Sequence, residues 1–128
     1  MERPVILVVE DENIIQAVIE DALVDAGFTV LLAGNGPGAM NALESDAQPD
    51  AIVTDIRLGG AISGWDIARH ARELSPNIGV VYISADSGVE WHSHGVPGSL
   101  FIQKPFAEAQ IVTGVSTVIN NASSTPVS

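Results

Sequence analysis

The sequence contains no cysteine, and this absence excludes several kinds of chemistry. There is no disulfide framework, no thiol nucleophile and no zinc site with thiolate ligands. The absence of cysteine therefore does not indicate whether the protein resides in an oxidising or a reducing compartment. Basic residues are scarce as well, because five lysines and arginines stand against 16 acids, for a net charge of -11. Nucleic-acid binding depends on clustered positive charge, so we predict that this chain binds no nucleic acid.

Long apolar segments are also missing. The N-terminal stretch MERPVILVVEDEN has a short apolar run that stops at acids, without a basic leader or a small-residue cleavage site. No segment approaches the length needed to span a membrane. We therefore predict a cytoplasmic protein with no membrane partner. A chain of 128 residues, 46% of them hydrophobic, suits one folded domain with one sizeable core.

Five apolar runs of strand length alternate with segments of helical periodicity. We predict strands at Val5–Val9, Phe28–Leu32, Ala51–Thr54, Gly79–Ile83 and Ser99–Ile102. Helices are predicted at Ile14–Ala26, Gly38–Ser45, Trp65–Leu74 and Phe106–Asn120, with a short one around Val89–His94. Gly27 and Ser63 are the expected stop and cap of the first and third helices.

This alternation predicts the architecture. Strands that are almost wholly apolar are buried on both faces, which indicates a parallel sheet with helices on two sides, an α/β doubly wound (βα)5 sandwich. We place the domain at residues 4–121. The remaining residues, 122–128, are polar and lack periodicity, so we expect a disordered tail.

Polar residues stand at the carboxyl ends of four strands, where ligand sites of open α/β sheets lie. They are Glu10 and Asp11, Asp55, Ser84 and Lys104. Three converging carboxylates repel one another unless a cation lies among them, and oxygen-only ligation favours Mg²⁺. A carboxylate in such a pocket can attack an activated phosphoryl group while the metal and an ammonium neutralise the transferring oxygens.

Four motifs, VVEDE, VTDIRL, YISA and FIQKPF, occur in this order at the strand ends. Together they resemble the receiver domain of two-component response regulators, of the stand-alone, chemotaxis type, over roughly Pro4 to Asn121. The resemblance implies a flavodoxin-like fold with strand order 2-1-3-4-5. It also implies that a histidine kinase or a histidine phosphotransfer protein donates a phosphoryl group to this domain.

The resemblance further implies the roles of the site residues. Asp55 would be the phosphoacceptor, Asp11 a direct Mg²⁺ ligand and Glu10 a ligand through water. Arg57 would offer its backbone carbonyl to the metal. Lys104 would pair with the phosphoryl group, and its peptide bond to Pro105 would be cis. Ser84 would supply the switch hydroxyl, and the rotamer of Phe101 would report the state of the switch.

Two further residues flank the expected pocket. Arg57 and Asp86 each lie two positions past a site residue, and their opposite charges could pair across the pocket mouth. The hypothesis is that this pairing hinders the attacking water and slows dephosphorylation. The alternative is an exposed pair of little energetic consequence.

Residues outside the pocket favour structural interpretations. His92 and His94 are two positions apart, face different ways on a helix and have no third ligand in the sequence, so we interpret them as solvated. Trp91 either anchors a partner or packs against the sheet.

The resulting functional prediction is a phosphorylation-dependent signalling switch that is not an enzyme. It would act by binding an unknown downstream protein, or as a phosphate relay or sink, and it could form a homodimer. The chain could also be a fragment of a hybrid kinase or of a larger regulator. Two alternatives remain. One is a receiver-like interaction module that is never phosphorylated, and the other is a small Mg²⁺-dependent phosphotransfer or phosphatase enzyme.

Overall fold

The computed structural model describes residues 3–86 and 88–123, and in them five strands alternate with five helices. The strands are β1 (Val5–Val9), β2 (Thr29–Ala33), β3 (Ala51–Asp55), β4 (Gly79–Ser84) and β5 (Leu100–Gln103). The helices are α1 (Asn13–Asp25), α2 (Gly36–Glu44), α3 (Gly64–Leu74), α4 (Trp91–His94) and α5 (Glu108–Ser123), with a 3₁₀ turn at Gly88–Glu90 before α4.

All strands pair in parallel, in the order β2-β1-β3-β4-β5, which confirms the predicted flavodoxin-like topology. Every residue of the central strands β3 and β4 is buried, as their apolar composition requires. Alternate residues of a strand point to opposite faces, so Leu7 and Val9 pack on the side of α2 and α3, whereas Ile6 and Val8 pack on the side of α1 and α5. The sheet is thus the middle of three layers, and its strands end along one edge.

Helix ends show where local sequence signals succeed. Gly27 follows α1 with a φ of 97°, the left-handed conformation that a glycine adopts without steric cost. The Ser63 hydroxyl accepts a hydrogen bond from the Asp66 N–H, and the Asp66 carboxylate accepts one from the Ser63 N–H, which forms a capping box at the start of α3. Both predicted helix signals are confirmed.

Other boundaries differ by one to three residues. α2 begins at Gly36 rather than Gly38, because the Asn35 side chain accepts a hydrogen bond from the Gly38 N–H at 2.8 Å and caps the helix earlier. α5 continues to Ser123, past the predicted boundary at residue 121, so residues 122 and 123 are helical rather than part of a disordered tail. Residues 124–128 of the predicted tail lie outside the described residues.

The predicted short helix after β4 forms as the 3₁₀ turn and α4. Trp91 packs against the core, donates a hydrogen bond to the Ser99 hydroxyl at 2.9 Å and stacks on Phe101, which confirms the packed interpretation. His92 and His94 are exposed, although their rings lie against Trp91 and Trp65, respectively. None of the helices in the described ranges is long and apolar enough to cross a lipid bilayer.

Candidate functional site

Three carboxylates and one ammonium meet at the carboxyl ends of β1, β3 and β5. One carboxylate oxygen each of Glu10, Asp11 and Asp55 lies within 4.8 Å of the others. Lys104 Nζ lies 3.0 Å from Asp55 Oδ2, to which it donates a hydrogen bond, and 3.0 Å from Glu10 Oε2 in an ion pair. The convergence predicted from the strand ends is therefore present.

The acids of this cluster differ sharply in exposure. Glu10 is completely buried and Asp55 is 6% exposed, whereas Asp11 is exposed to solvent. The side chain of Lys104 is only 13% exposed, so its charge is held inside the pocket. No hydrogen bond reaches Glu10 Oε2 from any described residue, which leaves the Lys104 ammonium as its ion-pair partner. A buried carboxylate oxygen without a hydrogen bond is costly, and it marks a place for a further positive group.

The ionisation of the pocket follows from these contacts. Burial raises the pKa of the Glu10 carboxyl to about 7, against the opposing effect of the Lys104 ammonium and the Glu12 N–H. Burial alone would lower the pKa of Lys104, but its close contacts with the Asp55 and Glu10 carboxylates outweigh burial and raise it. Lys104 is thus held charged, while Glu10 needs a second cation to be fully ionised at neutral pH.

The backbone around Asp55 is fixed from two sides. The hydroxyl of Thr54, itself fully buried, donates a hydrogen bond to the Asp55 carbonyl at 2.8 Å. Gly64, the first residue of α3, lies so close behind β3 that an added Cβ would contact the Asp55 carbonyl oxygen and stand 2.9 Å from the Ile56 Cα. The Arg57 N–H donates to Asp55 Oδ1 at 3.3 Å and orients the carboxylate.

Ser84 is the last residue of β4 and Asp86 lies two residues beyond it, near Asp55, because Ile83 pairs with Asp55 in the sheet. Ser84 is 3% exposed, and its hydroxyl accepts a hydrogen bond from the Asp86 N–H at 3.1 Å. The Asp86 carboxylate forms an ion pair with Arg57, with Oδ2 2.5 Å from Nε. The geometry of the predicted pair is present, and both side chains are largely exposed.

Phe101 lies further from the acids, on β5, where it pairs with Tyr82. Its ring is partly buried and stacks on Trp91 with a centroid separation of 6.4 Å. Gly88 also lies against the ring, since an added Cβ there would come within 3.0 Å of it. Phe101 therefore packs against both the 3₁₀ turn and α4, and a change of its rotamer would alter its packing against this segment.

The donor set fits a hard divalent cation. Glu10, Asp11 and Asp55 offer oxygen ligands alone, and a single ammonium leaves an excess of two negative charges when all three acids are ionised. The two positive charges of Mg²⁺ would neutralise this excess, and the Lys104 ammonium already balances the third carboxylate.

Comparison with known proteins identifies this arrangement. The sequence model named "Response regulator receiver domain" matches residues 6–116. The chain belongs to the response regulator receiver domain family. Receiver domains are modules of two-component systems, and membership in the family indicates phosphorylation-dependent signalling.

A solved structure supports the assignment to the receiver domains. The response regulator receiver protein from Sinorhizobium medicae is 44% identical, with a TM-score of 0.91 over 94% of this chain and 98% of that protein.

Curated relatives of this receiver domain are transcriptional regulators. The probable transcriptional regulatory protein TcrX of Mycobacterium tuberculosis is 30% identical over 91% of the chain, and the transcriptional regulatory protein CusR of Escherichia coli is 31% identical over 89%. The match covers 54% of TcrX and 50% of CusR. The chain thus spans about half the length of these two relatives.

Sequence reasoning missed two residues of this receiver pocket. Gln16 on α1 donates to the carbonyls of Glu10 and Ala33, and the only local signal was a polar residue between the apolar positions of an amphipathic helix. Gly64 lies between the predicted cap Ser63 and the predicted helix start at Trp65, and its closeness to Asp55 requires the absence of a side chain. Neither contact can be read from spacing, because both join separate elements.

Proposed function

We propose that this receiver domain accepts a phosphoryl group on Asp55 from a phosphohistidine of a histidine kinase or a histidine phosphotransfer protein, with Mg²⁺ bound. The observation that carries the proposal is the position of Lys104 Nζ, 3.0 Å from Asp55 Oδ2 in a pocket of acids. One carboxylate oxygen of Asp55 attacks phosphorus, the bond from phosphorus to the imidazole nitrogen breaks, and its electron pair stays on that nitrogen. Lys104 pairs with the transferred oxygens.

The metal would be held by Asp11 and Asp55 directly, by Glu10 through water and by the Arg57 backbone carbonyl. When bound, Mg²⁺ would neutralise charge on the phosphoryl oxygens. Orientation of the acceptor and the second positive charge come from residues of the chain. The backbone contacts of Thr54, the Arg57 N–H and Gly64 keep Asp55 oriented, and the buried position of Lys104 keeps its charge from being screened by solvent.

The switch would start at Ser84. Its hydroxyl turns from the Asp86 N–H towards the new phosphoryl oxygens, and the segment that contains the 3₁₀ turn and α4 moves with it. Because Phe101 packs against both Gly88 and Trp91, that movement would free the ring to change rotamer. The altered face would then bind a downstream protein. We place this signalling in the cytoplasm, where kinase and acceptor meet.

The experiment is the intact mass after incubation with Mg²⁺ and acetyl phosphate, for the wild type and for Asp55→Asn. We expect a gain of one phosphoryl group, about 80 Da, in the wild type and none in the variant. Asp50→Asn is the matched control, since this exposed acid lies at the opposite end of β3. A wild type that gains no mass, and whose tryptophan fluorescence does not respond to Mg²⁺, would support the unphosphorylated interaction module instead.

A further inference from the structure

Gln16 connects the ends of two strands beside the acid pocket. Its side-chain amide donates one hydrogen bond to the Glu10 carbonyl at 3.2 Å and one to the Ala33 carbonyl at 3.3 Å. The Ala33 carbonyl also accepts from the Glu10 N–H at 3.1 Å. The regular pairing of β1 with β2 ends at Val9 and Ala33. Gln16 thus adds two hydrogen bonds just beyond the last pair of the β1–β2 ladder, where regular strand pairing no longer satisfies the Glu10 carbonyl.

This bridge from Gln16 lies at the start of a run of acidic residues, where it opposes the opening of the turn that their repulsion favours. Three consecutive acids begin at Glu10, and the first of them is fully buried beside Asp55 and Lys104. Repulsion among the carboxylates, and the gain in hydration on exposure, both favour a turn that opens towards solvent. The described backbone hydrogen bonds that oppose such an opening at Glu10 are its N–H bond to the Ala33 carbonyl and the bond that its carbonyl accepts from Gln16. The second bond from Gln16 ties the same side chain to the Ala33 carbonyl.

We propose that Gln16 is a positioning residue for the metal and phosphoryl site. It holds the Glu10 backbone so that the Glu10 side chain stays inside the pocket and Asp11 points to the mouth. This inference rests on the proposed function. Gln16 itself touches neither metal nor phosphoryl group, and it acts through the two carbonyl oxygens. Outer contacts of this kind set the orientation of metal ligands.

The test compares two glutamine substitutions. Gln16→Met keeps the length and most of the packing of the side chain and removes both donors. Gln110→Met is the matched control, because Gln110 makes one side-chain bond, from the Ala107 N–H at 2.7 Å, at the start of α5. We expect the Mg²⁺ dissociation constant to rise about tenfold in Gln16→Met and to stay unchanged in Gln110→Met. Unfolding midpoints in EDTA would decrease modestly in both.

A second readout is independent of the metal. Amide hydrogen exchange at Glu10 and Asp11, measured by NMR in EDTA, should accelerate in Gln16→Met and not in Gln110→Met, because the turn opens more often. Faster exchange together with weaker Mg²⁺ binding supports the positioning role. Unchanged exchange at both amides overturns it, even if stability has decreased. A wild type that does not bind Mg²⁺ would contradict the proposed function instead, and the exchange data would still decide the role of Gln16.

Discussion

Lys104 Nζ lies 3.0 Å from Asp55 Oδ2, although the two residues are 49 positions apart in the chain. The same nitrogen lies 3.0 Å from Glu10 Oε2, so a single ammonium serves two acids in a pocket closed to most solvent. Replacing or protonating either acid therefore changes the electrostatic environment of the other.

Replacing Lys104 by methionine should destabilise the protein, and more so at high pH. The substitution leaves Glu10 buried without its cation, so the pKa of Glu10 should rise further above its present value of about 7. At pH 8 we expect a loss of roughly 3 kcal/mol, as for other buried pairs that lose one partner, and a smaller loss at pH 6, where Glu10 is protonated. Urea unfolding at both pH values measures this. Arg69→Met, which removes the cation of an exposed pair with Asp66, should show no such pH dependence.

Metal-free protein should lose stability as the pH rises from about 4.5 to about 7. In the unfolded chain Glu10 has its ordinary pKa of 4.5, whereas burial raises it to about 7 in the fold. Below both values the group is neutral in either state and its burial costs little. Above pH 4.5 the unfolded chain releases the proton first, which favours unfolding until the folded form also ionises near pH 7.

The measurement for Glu10 is the difference in unfolding free energy between wild type and Glu10→Gln, in EDTA, across this pH range. The difference should change between pH 4.5 and 7 and become constant above. Addition of Mg²⁺ should raise the unfolding midpoint of the wild type more at pH 8 than at pH 6, because the ionised acid is the form that binds a cation. A difference that stays flat with pH would mean that Glu10 has an ordinary pKa in the fold.

Asp86→Ala should shorten the lifetime of the phosphorylated protein. Arg57 and Asp86 form an ion pair beside the pocket, and we propose that its loss would give water easier access to the phosphoryl group. Stability should change by less than about 1 kcal/mol, because both side chains are largely exposed. Decay is followed by intact mass after removal of the donor. Arg57→Ala and the double variant should decay at the same increased rate, since the effect belongs to the pair; an unaltered rate in Asp86→Ala rejects the role of the pair.

Gly64→Ala should reduce both stability and phosphorylation. An added Cβ would contact the Asp55 carbonyl and stand 2.9 Å from the Ile56 Cα, so the end of β3 or the start of α3 must move. We expect a cost of about 1–3 kcal/mol, typical of overpacking, and slower labelling by acetyl phosphate. Gly60→Ala is the control, because its Cβ would meet open space in the loop that precedes α3. Equal labelling rates in the two variants would argue against a link between Gly64 and Asp55.

The site could be predicted from the sequence to the extent that its signals are local. Glu10, Asp11, Asp55 and Lys104 each follow an apolar strand, and parallel strands bring their ends to one edge of the sheet. Ser84 follows from the same rule. Their roles in phosphoryl transfer remain predictions, as does the switch at Phe101.

The fold was predictable for the same reason. Apolar runs and helical periodicity mark the elements, and glycine and capping residues mark most helix ends. The error at the start of α2 occurred because the Asn35 side chain decides where that helix begins. In the Gly-rich segment after β4 the local pattern is weak, and there Trp91 settles the structure through its contacts with Ser99 and Phe101.

The sequence by itself determined the parallel sheet and the chemical character of its carboxyl edge, because periodicity and composition control which residues are buried and where strands stop. The strand order was implied by the resemblance to receiver domains. Tertiary structure alone decided which acid is buried, that Lys104 serves Glu10 as well as Asp55, and that Gln16 and Gly64 support the pocket. The physical reason is that a pattern along the chain fixes the face on which a residue lies, whereas its partner depends on how separate elements pack.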